Sequence, residues 1–222
     1  MQYGVLSGSE ILRTIKTGEI VIDPFEVDNI KYEDRINSAS YDLTLGPHVA
    51  VYSSVVTADW GCRIGGVPGE RVRVDCQHLK LPPVPCLDAA QENPVERYEM
   101  DSRGFMLMPG IGYLMHTVER IATNKYIPII DGKSSIGRLF CFVHVTAGLG
   151  DPGFDGQYTL EVLVTHPLIV YPGMRFCQIR FFTIVGEAQN YQKAGHYTGK
   201  LAIGPVPSRS WTQFSVHENN HK

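Results

Sequence analysis

From Ser40 the chain switches to runs written in period two, and few folds can use such a pattern. Tyr41, Leu43 and Leu45 alternate with Ser40, Asp42 and Thr44 before Gly46-Pro47 turns the chain. Alternation at this period sends neighbouring side chains to opposite faces of a β-strand. Comparable runs occupy residues 104–108, 112–117, 126–130, 142–146, 158–165, 168–171 and 175–185, separated by Pro-Gly, Asp-Gly and glycine-rich turns. Short strands at this spacing predict an all-β barrel or sandwich and argue against alternating βαβ units.

One helix precedes the strands. Ser7 can cap it, Glu10 can reach back to complete a capping box, Ile11, Leu12 and Ile15 mark an apolar face, and Gly18 ends it. A second short helix is expected over residues 134–140. Residues 55–100 carry Pro68, Pro82, Pro83, Pro85 and Pro94 with little periodicity, and are expected to form a surface excursion within one domain spanning 1–222. The polar stretch 216–222 is expected to be loose.

A chain of 222 residues can bury a full core. A net charge of -3 argues against a polyanion binder, so nucleic acid is not the expected partner. No window approaches the roughly 18 apolar residues of a membrane helix, and residues 1–10 lack a basic or apolar leader pattern. A cytoplasmic protein with no membrane partner is expected. Cys62, Cys76, Cys86, Cys141 and Cys177 are odd in number and lack C-x-x-C spacing, which predicts reduced thiols.

Three features could carry chemistry. The segment IPIIDGKSSIGRLF, residues 127–140, ends like a phosphate loop, but Ile127 stands where that motif needs its first glycine. Lys133, Ser134 and Ser135 after Gly132 still offer a cation, two hydroxyls and free backbone N–H groups to an anion. A capped surface helix is the structural alternative. Next, CFVHVTAGLGDPGFDGQYTLEV, residues 141–162, holds His144 and Thr146 and then a glycine-rich loop with Asp151 and Phe154. Such a loop admits a ligand close to the backbone and gives a sugar or base a flat ring; an ordinary turn and a core histidine are the alternatives. Last, Glu161 interrupts an apolar strand. If its face points inward, burial would favour the protonated form and a cation such as Arg138 the charged form, a balance suited to a general acid or base. A solvent-facing glutamate is the alternative.

Two chemistries fail on motif. A zinc deaminase needs H-x-E and P-C-x-x-C, yet no histidine precedes Glu at that spacing and Pro85-Cys86 lacks a second cysteine. Any deamination should therefore be zinc-free. The G-x-S-x-G elbow is also missing.

GKSSIGRL, HVTAGLGDPGFDGQYTLEV, PGMRFCQI and GPVPSRSW together resemble the dCTP deaminase branch of the dCTP deaminase/dUTPase superfamily, and INSASYDLTLG at 36–46 resembles its N-terminal motif. The resemblance implies a distorted dUTPase-like β-barrel (a β-clip), mainly β with a short N-terminal helix and one short helix near Ser134. It also implies homotrimers with sites at subunit interfaces, residues 190–222 as C-terminal lid and tail, and Mg2+ bound through the substrate triphosphate, with no metal ligand among the protein's side chains. Glu161 falls on the catalytic glutamate, Ser134 and Arg138 on its positioning partners, and Ala147 on the carbonyl that orients the water. Lys133, Ser135 and Gln178 match phosphate contacts. His144, Val145 and Thr146 lie beside the pyrimidine, and Asp151 and Phe154 at the deoxyribose. Tyr191 corresponds to a phosphate-contacting tyrosine.

The implied activity is hydrolytic deamination of dCTP to dUTP and ammonia in dUMP and dTTP supply, with dTTP as a feedback inhibitor. A bifunctional enzyme is the alternative, with Asp151 activating a second water to give dUMP and pyrophosphate. A dUTPase alone is disfavoured, since GKLAIGPVPSR replaces the glycine-rich C-terminal motif of that branch. Where relatives carry K-Y-x-G-Q in the lid, this chain has His196, Tyr197, Thr198, Gly199 and Lys200. A glutamine amide donates and accepts, whereas a lysine only donates. Base recognition thus stays open to a modified dCTP, or to a non-catalytic nucleotide-binding regulator.

Overall fold

The computed structural model describes residues 4–25, 35–53, 87–144, 146–191, 197 and 204–215. Helix α1 (Gly8–Lys16) starts as expected, with Ser7 Oγ accepting the Glu10 N–H at 3.3 Å. The reciprocal half of the capping box does not form. Glu10 turns instead to Arg13, whose Nε donates to it at 2.8 Å, because a charged donor one turn along outcompetes a neutral N–H. Ile11 is buried, and Gly18 N–H closes the helix on the Ile15 carbonyl.

The strands are β1 (Ile20–Asp23), β2 (Tyr41–Thr44), β3 (His48–Tyr52), β4 (Val95–Glu99), β5 (Phe105–Leu107), β6 (Tyr113–Thr123), β7 (Tyr126–Gly132), β8 (Cys141–Phe142), β9 (Asp155–Val164), β10 (Leu168–Val170) and β11 (Arg175–Thr183). Between β7 and β8 lies one turn of helix, α2 (Ser134–Gly137), shorter than the expected 134–140 because Phe140 leaves helical geometry at φ 54°. The run expected to form a strand at 142–146 pairs only through Cys141 and Phe142, opposite Val164 and Leu163. β1, β3 and β4 went unread in the sequence.

The residues group into two compact units, one of Met1–Val49 and Tyr98–Val206, the other of Ala50–Arg97 and Pro207–Lys222. β3 and β4 carry the chain across the boundaries. Residues 55–86 of the expected excursion lie outside the described residues. In the smaller unit Ser53 N–H bonds to Pro94, Ser208 N–H to the Tyr52 hydroxyl, and Ser210 to the Ala89 carbonyl; helix α3 (Thr212–Ser215) follows.

In the larger unit β6 pairs antiparallel with β1 and β9, and β9 with β8; β11 lies between β2 and β7, and β5 pairs with β10. The strands thus form separate distorted sheets rather than one closed ring. Leu43, Leu45, Met115, Leu160, Val162, Phe176, Ile179 and Phe181 are fully buried. Removing such side chains from water is the main force holding these sheets. Cys141 and Cys177 are free and buried. Burial pushes the Cys141 thiol up to about 11 and that of Cys177 higher still, so neither is a reactive thiolate at neutral pH.

The β6–β9 ladder shifts register between His116 and Arg120. A bulge leaves backbone groups unpaired, and Thr117 meets two of them: its hydroxyl donates to Glu119 O at 2.8 Å and accepts Tyr158 N–H at 3.0 Å. The adjacent His116 is buried. Its Nδ1 lies 2.8 Å from the Thr117 carbonyl, and its Nε2 lies 3.3 Å from His48 N–H. Those partners assign the neutral tautomer with the proton on Nδ1.

Burial, opposed by the Thr117 bond and reinforced by His48, lowers the His116 pKa. The unfolded chain therefore binds this proton first as pH falls. Stability from His116 should be complete above the unfolded value of about 6.5 and decline below it, levelling off under the folded value. Glu119 has the opposite sign: burial raises it against its Thr44 and Arg35 partners, so its contribution is complete below the unfolded value and is lost as pH rises through the folded one. In urea denaturation across pH 4–8, acidification below about 6.5 should cost wild type more stability than it costs His116→Gln, the Glu119 contribution being common to both. Equal slopes for both proteins would refute the assignment.

No helix among the described residues is long and apolar enough to cross a membrane.

Candidate active site

β9 has two unlike faces. Tyr158, Leu160 and Val162 point into the core, while Thr159 and Glu161 point the other way. Glu161 stands opposite Leu114 in the ladder and keeps 42% of its side chain exposed. The condition of an inward-facing, desolvated carboxylate is therefore not met within one chain. Thr146 Oγ1 donates to Glu161 Oε2 at 3.1 Å, leaving Oε1 open. The His144 ring is buried with Nδ1 3.5 Å from the same Oε2, too far for a good hydrogen bond and with no other partner among the described residues. A carboxylate steadied on one oxygen and open on the other can take a proton from a water held against it.

Ala147 lies in the exposed loop after Thr146, and Gly148 anchors that loop through its carbonyl to Ile130 N–H at 2.7 Å. Val145, His196 and Lys200 lie outside the described residues, and Tyr197 is exposed.

Lys133 is the N-cap of α2, with extended backbone at φ -99°, and Arg138 is its C-cap. The N–H groups of Ser134 and Ser135 precede the first intrahelical bond. Both serine side chains and Arg138 are exposed and make no side-chain hydrogen bond or ion pair among the described residues. In particular, Arg138 and Ser134 do not bond Glu161 within one chain.

Lys133 instead turns its ammonium to Asp42, a fully buried carboxylate on β2. Asn37 Nδ2 also donates to Asp42 at 2.8 Å, and Arg175 Nη1 stands 3.8 Å away. Gln178 on β11 ties the Gly132 carbonyl, at 2.8 Å, to Ser40 Oγ, at 2.7 Å. This network holds the GKSS segment against β2. Asp42 was missed because its place in the alternation reads as the solvent face; in fact all four residues of β2 are buried.

The Asp-Pro-Gly turn forms the third group. Gly153, at φ 94°, bonds to Thr123 O at 2.7 Å and turns the chain back as only glycine does without strain. Asp151 is exposed beside it. The Phe154 ring lies 4.9 Å from that of Tyr158 and 6.0 Å from that of Tyr191. Tyr158 was legible only as a strand residue. Burial, then Asp151 and Tyr191, raise its pKa and keep its hydroxyl protonated.

The dCTP deaminase-like family model matches residues 5–184. Relatives named "dCTP deaminase, dUMP-forming" come from Leptospira biflexa serovar Patoc and Clostridium botulinum, each 37% identical over 90% of this chain and 94% of the relative. One from Cytophaga hutchinsonii is 35% identical over the same shares. The crystal structure of 2'-deoxycytidine 5'-triphosphate deaminase from Agrobacterium tumefaciens matches with a TM-score of 0.53 and 21% identity. That match covers 82% of this chain and 49% of the other, and it shows a shared fold.

Proposed function

The chain belongs to the dCTP deaminase-like family, and we propose that it deaminates dCTP and carries the product on to dUMP and pyrophosphate. The observation that carries the first step is Glu161, with one oxygen held by Thr146 and the other open. Water attacks C4 of cytosine while Glu161 takes its proton, and the tetrahedral carbon forms. The electron pair of the C4–N3 double bond goes to N3, which takes up the proton of the new C4 hydroxyl, while Glu161 returns the other water proton to the amino nitrogen; the C–N bond breaks, and ammonia leaves a uracil carbonyl behind. The Ala147 carbonyl orients the water, and the Ser134 hydroxyl and Arg138 guanidinium stabilise the developing charge.

The motifs alone rank dUTP first as the product; the relatives' shared description, dUMP-forming, supports a second hydrolysis. In it Asp151 activates a water that attacks the α-phosphorus, breaking the bond to the β-phosphate oxygen and releasing pyrophosphate. Lys133 and Ser135 bind the phosphates, with Gln178 bracing Gly132 beneath them, while Phe154 packs on the deoxyribose. Tyr191 closes that side. Among the described residues at the phosphate positions, the open donors are the Ser134 and Ser135 hydroxyls and the N–H groups before the first turn of α2, with the Lys133 ammonium beside them on Asp42; such donors suit phosphate oxygens rather than a metal. Mg2+ would therefore be held by the substrate, where it offsets triphosphate charge. dTTP, whose phosphates and sugar fit the same donors, is the proposed inhibitor.

Assembly as a homotrimer would bring Ser134 and Arg138 of one copy to Glu161 of another. The apolar surface beside the site supports this, since Phe140, Phe142 and Leu163 are 57%, 50% and 41% exposed.

Wild-type protein with dCTP and magnesium should release ammonia, dUMP and pyrophosphate, and should sediment at three chain masses. Accumulated dUTP without dUMP would restrict the activity to deamination. Absence of ammonia would remove the deaminase reading, and tight dCTP binding without turnover would leave a nucleotide-binding regulator. A 5-substituted dCTP turned over faster than dCTP would identify a modified base as the substrate.

A further inference from the structure

Tyr158 faces the core, on the side of β9 opposite Glu161, and its hydroxyl is buried without a hydrogen-bond partner among the described residues. A phenylalanine would serve a plain core better, because a buried, unpaired hydroxyl is destabilising. What the hydroxyl touches explains its presence. It abuts Gly150, where a Cβ would stand 2.1 Å from it. Gly150 in turn is fixed by its N–H to Pro128 O at 2.7 Å, and the next residue is Asp151. The ring of Tyr158 also supports Phe154 at 4.9 Å with a 58° tilt. One side chain thus sets the position of both groups assigned above to the sugar, Phe154 through its ring and Asp151 through the hydroxyl under Gly150.

The geometry points to Tyr158 as a positioning residue that sets selectivity for deoxyribose over ribose by fixing how closely Phe154 and Asp151 enclose C2' and C3'. A 2'-hydroxyl needs room that a braced Phe154 denies. Shortening Tyr158 lets the ring recede and admits the larger sugar. This inference rests on the nucleotide site proposed above.

The test compares kcat and KM for dCTP and CTP in full-length wild type, Tyr158→Leu and Tyr158→Phe. Tyr158→Leu should raise KM for dCTP about tenfold with kcat little changed, and should lower the dCTP-over-CTP ratio of kcat/KM about tenfold. Tyr158→Phe keeps the ring and should retain most selectivity without loss of thermal stability. A folded Tyr158→Leu with unchanged KM and selectivity would overturn the proposal, as would equal losses on both sugars.

Should Tyr158→Leu fail to fold, Gly150→Ala supplies the second arm. Its methyl would stand 2.1 Å from the hydroxyl, 2.9 Å from Pro128 Cγ and 3.0 Å from Tyr158 Cζ and should disturb selectivity, and Tyr158→Phe in the same chain, which removes the tightest of these contacts, should restore the part due to the hydroxyl. No restoration would overturn the proposal. If wild type releases no ammonia, the deaminase reading fails by itself, and calorimetric titration of dCTP and CTP reads the same selectivity. Wild-type activity with an indifferent Tyr158 sinks this inference alone.

Discussion

Glu161→Gln is expected to lower kcat for dCTP roughly 1,000-fold, within the range by which positioned general bases accelerate proton transfers. Glutamine preserves the shape of the side chain, and its carbonyl oxygen can still accept the Thr146 hydroxyl now 3.1 Å from Glu161. What it cannot do is take a proton from water and return it to the departing nitrogen. KM for dCTP should stay within about threefold, because the interaction lost is made in the transition state rather than in the bound ground state. Thermal stability should barely move, since the side chain is 42% exposed and surface substitutions usually change stability by under about 0.5 kcal/mol. Ammonia release followed at saturating dCTP measures the effect. Retention of more than about a tenth of wild-type kcat would mean that another group is the base.

Asp42→Ala should give the largest loss of stability, about 3 kcal/mol. The carboxylate is wholly buried and receives Lys133, with Asn37 at 2.8 Å and Arg175 at 3.8 Å. Truncation removes the buried acceptor that Lys133 and Asn37 share. Lys133 keeps 26% of its side chain exposed and can swing toward water, which holds the loss at the lower end for a broken buried pair. For a chain of this size the midpoint of thermal unfolding should fall roughly 6–12 °C. Asp42→Asn, which keeps acceptor oxygen but not charge, should fall between. A loss below about 1 kcal/mol would show that the pair behaves as an exposed one.

The sequence was most informative where a single physical rule governs the chain. The alternation around Glu161 marked β9 because its inner residues, Tyr158, Leu160 and Val162, really are core. Ser7 and Gly18 marked α1 because caps are local chemistry. β6 was read only to Thr117, since the bulge at His116–Arg120 breaks the period there while pairing resumes beyond it. Alternation also gives no sign of whether a second face meets water. Asp42 therefore looked solvated, although both faces of β2 are covered. The strand expected through Thr146 stops at Phe142, and His144 and Thr146 turn to Glu161 instead. Propensity describes a segment's preference, whereas a partner edge decides whether it becomes a strand.

The two-faced construction of β9 bears on how such a protein can change over generations. Tyr158 and Glu161 are separated by about 10 Å along the strand and project from opposite surfaces. A mutation that retunes one side chain leaves the packing of the other untouched, so effects at the two positions should add. Selection can then explore which nucleotides are admitted without jeopardising bond-breaking, and lineages can diverge in diet while inheriting one reaction.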